Sequence, residues 1–163
     1  MKHRIFYFVL IFAILIADQL TKIIIAQKIG YLNSVDVIPG FFNLIHIRNR
    51  GVIFGLFSRL SGGIHYVFLT MVSLAAFFLV VYYFFKTPTT ERFLKVSLSL
   101  ILAGALGNLI DRIFKGYVID FMDFYIKKWH WPSFNLADSC ITVGAIFLVF
   151  IFFFKGKSKC TPS

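Results

Sequence analysis

The chain has 163 residues, of which 59% are hydrophobic and 15% are charged, and its net charge is +10. Soluble globular proteins carry about 45–50% apolar and about 25% charged residues, so this composition excludes an ordinary soluble domain. The basic residues lie at the ends of apolar runs, where they would meet lipid headgroups, which disfavours nucleic acid as a partner. We therefore expect one integral membrane domain over residues 1–163.

Four apolar runs are long enough to cross a bilayer, which takes about 20 residues in a helix. The predicted spans are residues 5–26, 64–85, 93–110 and 134–154. The first run could alternatively be a cleavable signal peptide, but no small-x-small cleavage site follows it. An even number of spans places both termini on one side, and basic residues close to the span ends favour the cytoplasm for that side.

Two outer loops, residues 27–63 and 111–133, connect these spans. In the first loop, a Pro39-Gly40 turn signal precedes residues 41–47, whose latter half alternates apolar and polar side chains. Such alternation is typical of a half-buried strand. The predicted fold is therefore an α-helical integral membrane protein with four transmembrane helices and a small extracytoplasmic β-sheet in the first outer loop. In the second loop, Trp129 and Trp131 are predicted to anchor the chain at the bilayer edge.

Polar side chains inside the spans need partners, because an ionisable group there costs at least ~2.5 kcal/mol. Three pairs are spaced so that both members share one helix face: Asp18 with Lys22, Asn108 with Arg112, and Asn135 with Asp138. For the first two pairs, a polar clamp between helices and a direct role toward substrate are both open. Gly104 and Gly107 precede Asn108, and small residues allow helices to approach closely in lipid.

Two carboxyl groups that meet at the membrane boundary could share one proton and activate a water for attack on an amide carbonyl. Asp138 is the best single candidate for such a pair. Asp111, Asp120 and Asp123 compete for the second place, and spacing does not choose among them. The four histidines show no metal-ligand spacing, so we expect neither a metal nor a cofactor.

Five segments, in order along the chain, resemble the lipoprotein signal peptidase family, also called signal peptidase II. They are residues 18–22, 49–55, 104–112, 118–121 and 134–139. The resemblance implies that Asp120 and Asp138 form the catalytic dyad. It also implies supporting or substrate-binding places for Asp18, Lys22, Asn49, Gly51, Gly104, Asn108, Arg112 and Asn135. The chain departs from the family at Val52 and Ile53, where two alanines are common, and bulkier side chains there would narrow the substrate groove.

The resemblance further implies an aspartic endopeptidase of the bacterial cytoplasmic membrane with its active site at the outer face. Its substrates would be prolipoproteins, cut just before a cysteine that carries a diacylglyceryl group. The family's partners are lipid-modified prolipoproteins and membrane lipids, and the antibiotic globomycin is an inhibitor. We expect a monomer without a nucleic-acid partner.

The same aspartates could also serve two other functions, for which the sequence gives less support. Asp120 and Asp123 form one D-x-x-D motif that could bind magnesium diphosphate in a membrane prenyltransferase, but such enzymes need several Asp-rich motifs. Asp18 and Asp138 could be the relay acids of a proton-coupled transporter, but the chain shows no internal repeat. Activity that survives EDTA would exclude the first, and proton-gradient-dependent uptake would support the second.

Overall fold

Four long helices form the body of the protein in the computed structural model, which describes residues 2–50 and 64–157. They are α1 (Lys2–Lys28), α2 (Ile64–Lys86), α3 (Arg92–Lys115) and α4 (Leu136–Lys157). Each contains a stretch long and apolar enough to cross a membrane. The predicted four-helix membrane architecture is confirmed.

Helix α3 is longer than the sequence pattern predicted. It continues five residues past residue 110, so Asp111 and Arg112 lie in the helix and not in the second outer loop. The prediction ended the span just before Asp111, the first acidic residue after its start, but Asp111 is fully buried and paired with lysines. The helix ends where Gly116 adopts a left-handed φ of 77° and donates its N–H to the carbonyl of Arg112 at 3.1 Å.

Helix α3 is also the centre of the bundle, since it packs against α1, α2 and α4. Its close contacts with α4 and α1 depend on two glycines. A Cβ atom at Gly104 would clash with the backbone carbonyl of Ala137, and one at Gly107 would lie 2.6 Å from Oδ2 of Asp18. The predicted role of small residues in helix approach is confirmed at these two positions.

The other three helices turn large apolar side chains outward. Phe152 and Phe153 on α4, for example, are 68% and 72% exposed. Such a surface is unfavourable in water and favourable against acyl chains. The buried apolar cluster that joins the helices consists of Tyr7, Ile11, Phe84, Leu98, Leu102 and Ala103.

A four-stranded antiparallel sheet covers one end of the bundle, where α1 and α3 end and α2 and α4 begin; we call this the sheet end. Its strands, in spatial order, are β1 (Ser34–Ile38), β2 (Phe42–Asn49), β3 (Val118–Ile126) and β4 (Trp129–His130). The strand predicted near residues 41–47 is confirmed as β2. The small sheet is confirmed too, and β1 and β2 lie in the first outer loop as predicted, whereas β3 and β4 come from the second.

The physical reason for this difference lies in β3. Its first four residues are all buried, so it lacks the alternation that marks a half-exposed strand. Ile119 and Phe121 pack against Ile25 and Ile29 near the end of α1. The opposite face of β3 carries Asp120, which the register places opposite Ile47 of β2.

Candidate active site

Two aspartates from different elements line one cavity at the sheet end. Asp120 projects from β3 and Asp138 from the first turn of α4, and the cavity has a volume of about 1100 Å³. Asp120 is only 2% exposed, whereas Asp138 is half-buried. The two carboxyl groups are close enough for the charge of Asp138 to affect the titration of Asp120.

Asn135 connects the two acids and starts α4. Its Oδ1 accepts the backbone N–H of Asp138 at 2.9 Å, and its own N–H donates to Oδ2 of Asp138 at 3.2 Å. This reciprocal capping satisfies N–H groups that a helix start otherwise leaves without partners. The Nδ2 of Asn135 donates to Oδ1 of Asp120 at 2.8 Å. One residue therefore orients both carboxyl groups, Asp138 through its backbone N–H and Asp120 through its side-chain amide. The spacing of Asn135 and Asp138 in the sequence allows this local motif.

A second amide supports each aspartate from the other side. Asn49, the last residue of β2, donates Nδ2 to Oδ2 of Asp120 at 2.9 Å. Asn108 of α3 donates Nδ2 to Oδ1 of Asp138 at 2.7 Å. Each carboxyl group is thus held by two donors from different elements, which keeps both aimed into the cavity.

Behind the dyad, Lys22 is fully buried between two helices. Its Nζ lies 2.8 Å from Oδ2 of Asp18, 2.9 Å from Oδ2 of Asp111, and 3.0 Å from Oδ1 of Asn108. Oδ1 of Asp18 accepts the backbone N–H of Ala137 at 3.0 Å, so the pair also fastens the start of α4. Asp18 and Lys22, which were predicted to share one helix face, form an ion pair, and its position favours the clamp over direct contact with substrate.

Asp111 takes a structural position, not the second place in the dyad for which it competed. Its Oδ1 lies 2.6 Å from Nζ of Lys115, four residues along α3, and its Oδ2 meets Lys22. Two lysines and two aspartates therefore balance their charges inside the protein. The i, i+4 spacing of Asp111 and Lys115 in the sequence is the signal that predicts this pair.

Asp123 also lies apart from the dyad. Its carboxylate meets Nδ1 of His130 at 2.9 Å, across the turn between β3 and β4. Asp120 and Asp123 are an odd number of residues apart on one strand, so their side chains leave opposite faces. They do not form the joint oxygen cluster that a diphosphate-bound magnesium would need. Among the side chains of residues 4–50 and 67–154, no three of His, Cys, Asp or Glu are grouped to hold a metal.

Of the remaining residues singled out in the sequence, the structure describes Arg112 and Gly104. Arg112 donates Nη1 to Oγ of Ser73 at 3.0 Å, which links α3 to α2. Gly104 lies at the contact of α3 with α4 described above. Gly51, Val52 and Ile53 lie outside the described residues.

The environment of Asp120 raises its pKa from 3.8 to about 6. Burial is the largest cause, because it penalises the charged form, and the nearby charge of Asp138 acts in the same direction. The amides of Asn49 and Asn135 and the charge of Lys22 oppose this rise. Asp138 lies beside this carboxyl group, in the first turn of α4. The arrangement suits one protonated and one ionised carboxyl group around a shared water.

A family model, curated relatives and a solved structure are all similar to this chain over most of its length. The family model described as Signal peptidase (SPase) II matches residues 10–154. The chain is 42% identical over 146 residues to a lipoprotein signal peptidase of Syntrophus aciditrophicus (strain SB), covering 90% of this chain and 91% of that one. It is 45% identical over 137 residues to one of Burkholderia mallei (strain SAVP1), covering 84% and 81%. A bacterial membrane enzyme solved by the in meso method at 2.3 Å resolution superposes with a TM-score of 0.80 at 36% identity, covering 96% of this chain and 92% of that one.

Proposed function

Because the chain belongs to the signal peptidase II family, we propose that it removes signal peptides from lipid-modified prolipoproteins with a water activated between Asp120 and Asp138. Family membership makes it a protease and a multi-pass protein of a bacterial membrane. The observation that carries the aspartic mechanism is geometric. Asp120 and Asp138 line one cavity and are oriented by the same residue, Asn135.

The dyad works with one proton between two carboxyl groups. Asp138 is ionised and accepts a proton from the water as it attacks the scissile carbonyl carbon. Asp120 is protonated and gives its proton to the carbonyl oxygen, so the tetrahedral intermediate carries two hydroxyl groups and no net charge. Asp138 then protonates the leaving nitrogen while Asp120 recovers its proton from one hydroxyl group, and the C–N bond breaks. Both acids return to their starting states, and the net reaction consumes one water.

The other site residues position this dyad in our proposal. Asn49, Asn108 and Asn135 aim the carboxyl groups. Asp18 and Lys22 hold the start of α4, on which Asp138 stands. We also propose that Gly104, Arg112 and Gly51 have supporting roles at the site. A narrower substrate groove at Val52 and Ile53 stays a prediction about substrate preference.

The position of the cavity fits a substrate whose lipid stays in the bilayer. The cavity opens where the membrane-crossing helices end, so a diacylglyceryl group in the membrane places its cysteine beside the dyad. Following the resemblance to the family, we propose that the cut falls just before that cysteine. We also place the sheet end at the outer face and the termini in the cytoplasm, as the basic residues near the span ends favour. Globomycin inhibition, a monomeric state and one domain over residues 1–163 stay predictions.

The test presents purified protein with a diacylglyceryl-modified precursor and with its unlipidated twin, and follows the mass of the products. We expect cleavage of the lipidated precursor only, at the bond before the lipidated cysteine. Asp120→Asn and Asp138→Asn should each reduce cleavage at least ~1000-fold while the unfolding temperature in detergent stays close to that of the parent, because each removes one of two acids that act as a unit. Cleavage of the unlipidated form alone would refute the proposed function. Full activity of either variant would refute the mechanism.

A further inference from the structure

A guanidinium group at the rim of the cavity lies against two tyrosine rings. Cζ of Arg48 is 4.8 Å from the ring centroid of Tyr31 and 4.9 Å from that of Tyr117. Both distances fall within the ~6 Å over which cations are attracted to aromatic faces. The planar group is therefore held in place before any ligand arrives, which reduces the entropy that binding would cost.

The two rings stand just beyond the ends of membrane-crossing helices. Tyr31 follows the end of α1, and Tyr117 follows the end of α3, both at the sheet end. The Tyr31 ring packs edge-on against His46 at 5.8 Å, and Nδ1 of His46 bonds to the carbonyl of Ile29 at 2.9 Å. Tyrosine is enriched at the boundary between bilayer and water. The Arg48 guanidinium is thus fixed at the level of the lipid headgroups.

Arg48 has no acceptor in the part of the protein that the structure describes. Its side chain is exposed and lines the cavity, yet it makes no hydrogen bond or ion pair with the described residues. Arg50 adds a second positive charge to the same rim. The described lining contains no carboxyl groups besides Asp120 and Asp138. A guanidinium with a free edge suits an anion with two or more oxygens, because its N–H groups match phosphate or carboxylate oxygens in pairs.

The strand register separates Arg48 from the chemistry. Neighbouring residues on a strand point to opposite faces, and Arg48 is paired with Ile119, whereas Ile47 is paired with Asp120. Arg48 therefore reaches the cavity at its rim and not between the two acids. A group bound there would lie beside the dyad, in contact with the surrounding membrane.

We propose that Arg48, flanked by Tyr31 and Tyr117, binds the phosphate group of a bilayer phospholipid at the rim of the cavity. The site joins the sheet end to the headgroup layer and so holds the mouth of the cavity at the height of the bilayer surface. Its ligand chemistry is a phosphate monoanion with two oxygens toward the guanidinium. Lipid binding at this site can be measured without any activity assay, so its result does not depend on whether the chain cleaves lipoproteins.

The test is native mass spectrometry of the full chain in a phosphate-free maltoside detergent, titrated with palmitoyl-oleoyl-phosphatidylglycerol. We expect Arg48→Gln to weaken retention of one lipid about tenfold, because it removes a charge-assisted, two-pronged contact. Arg48→Lys should restore only part of this affinity, since a point charge lacks the planar fork. The matched control is Lys128→Gln, which removes an exposed charge from the β3–β4 turn and should change retention less than twofold.

Further arms separate the phosphate of a lipid from other ligands. Dioleoylglycerol, which lacks phosphate, should be retained equally by the parent and by Arg48→Gln. Equal phosphatidylglycerol retention by both proteins, or an equal loss in Lys128→Gln, would overturn the proposal. Inorganic phosphate that competes for the Arg48-dependent site at millimolar concentration would overturn the lipid assignment in favour of a free anion. If Arg48→Gln does not fold, Tyr31→Leu and Tyr117→Leu keep the charge while removing the flanking rings. Each should still weaken retention, and unchanged retention in both would refute the site.

Discussion

Replacement of Asn49 by leucine tests how the dyad is tuned, because leucine keeps the branching of the side chain but offers no donor to Asp120. In the parent, Nδ2 of Asn49 donates to Oδ2 of Asp120 at 2.9 Å and lowers the pKa of that carboxyl group against the rise caused by burial. A hydrogen bond to a charged group contributes about 1.5–3 kcal/mol. Asn49 is only partly buried, so we take the lower end of that range.

One pKa unit corresponds to about 1.4 kcal/mol, so the pKa of Asp120 should rise by about one unit from its value of about 6. The sign follows from the state that the bond stabilises. Asn49 favours the ionised form, and its loss favours the protonated form. In the proposed mechanism the protonated form of Asp120 is the active one, and it is present below its pKa and lost as pH rises through it. The alkaline limb of the pH profile should therefore move upward by about one unit.

The assay is kcat/KM for a diacylglyceryl-modified precursor between about pH 4 and pH 9, since this ratio reports the free enzyme's pKa values. The matched control is Asn33→Leu, an exposed asparagine ahead of β1, which should leave both limbs in place. A folded Asn49→Leu protein whose alkaline limb stays fixed or moves downward would refute the assignment of the proton to Asp120.

Three further outcomes follow from the same geometry. Lys22→Met should lower the free energy of unfolding in detergent by about 3–5 kcal/mol, because it leaves the buried carboxylates of Asp18 and Asp111 without their shared cation; an unchanged denaturation midpoint would contradict the clamp. Gly104→Ala should destabilise by about 1–3 kcal/mol in the same measurement, since its Cβ would clash with the Ala137 carbonyl, and Ile146→Ala on the lipid-facing surface of α4 should cost less. Cleavage should show a bell-shaped pH profile and persist in excess EDTA, whereas loss of activity in EDTA would indicate a metal step.

Several contacts of the site could be predicted from the sequence because the residues that form them lie close together along the chain. Asp18 with Lys22, and Asn135 with Asp138, lie three or four residues apart on one helix, so helical geometry alone brings their side chains to one face. Their observed contacts at 2.8 Å and 2.9 Å need no information from elsewhere in the chain. The same local reasoning would have paired Asp111 with Lys115, had the end of α3 been placed correctly.

The second acid of the pair that includes Asp138 could not be predicted from residue spacing. Asp111, Asp120 and Asp123 were equal by chemistry and spacing, and only the resemblance to the family chose among them. In the structure, the pairing of β2 with β3 puts Asp120 opposite Ile47 and beside the amide of Asn49. A shift of one residue in that register would turn Asp120 to the other face of the sheet, where Ile119 packs against the end of α1.

Composition and helical periodicity by themselves determined that this chain belongs in a membrane, that it crosses four times, and which polar residues pair along a single helix. These properties depend on hydrophobicity and on the fixed 3.6-residue turn, both of which are written into short stretches of sequence. Tertiary structure alone decided that half of the sheet comes from the second loop, that Lys22 of α1 meets Asp111 of α3, and that Arg48 lies against two tyrosines. Those contacts join residues far apart in the chain, so they arise only when strand register and helix packing are set together.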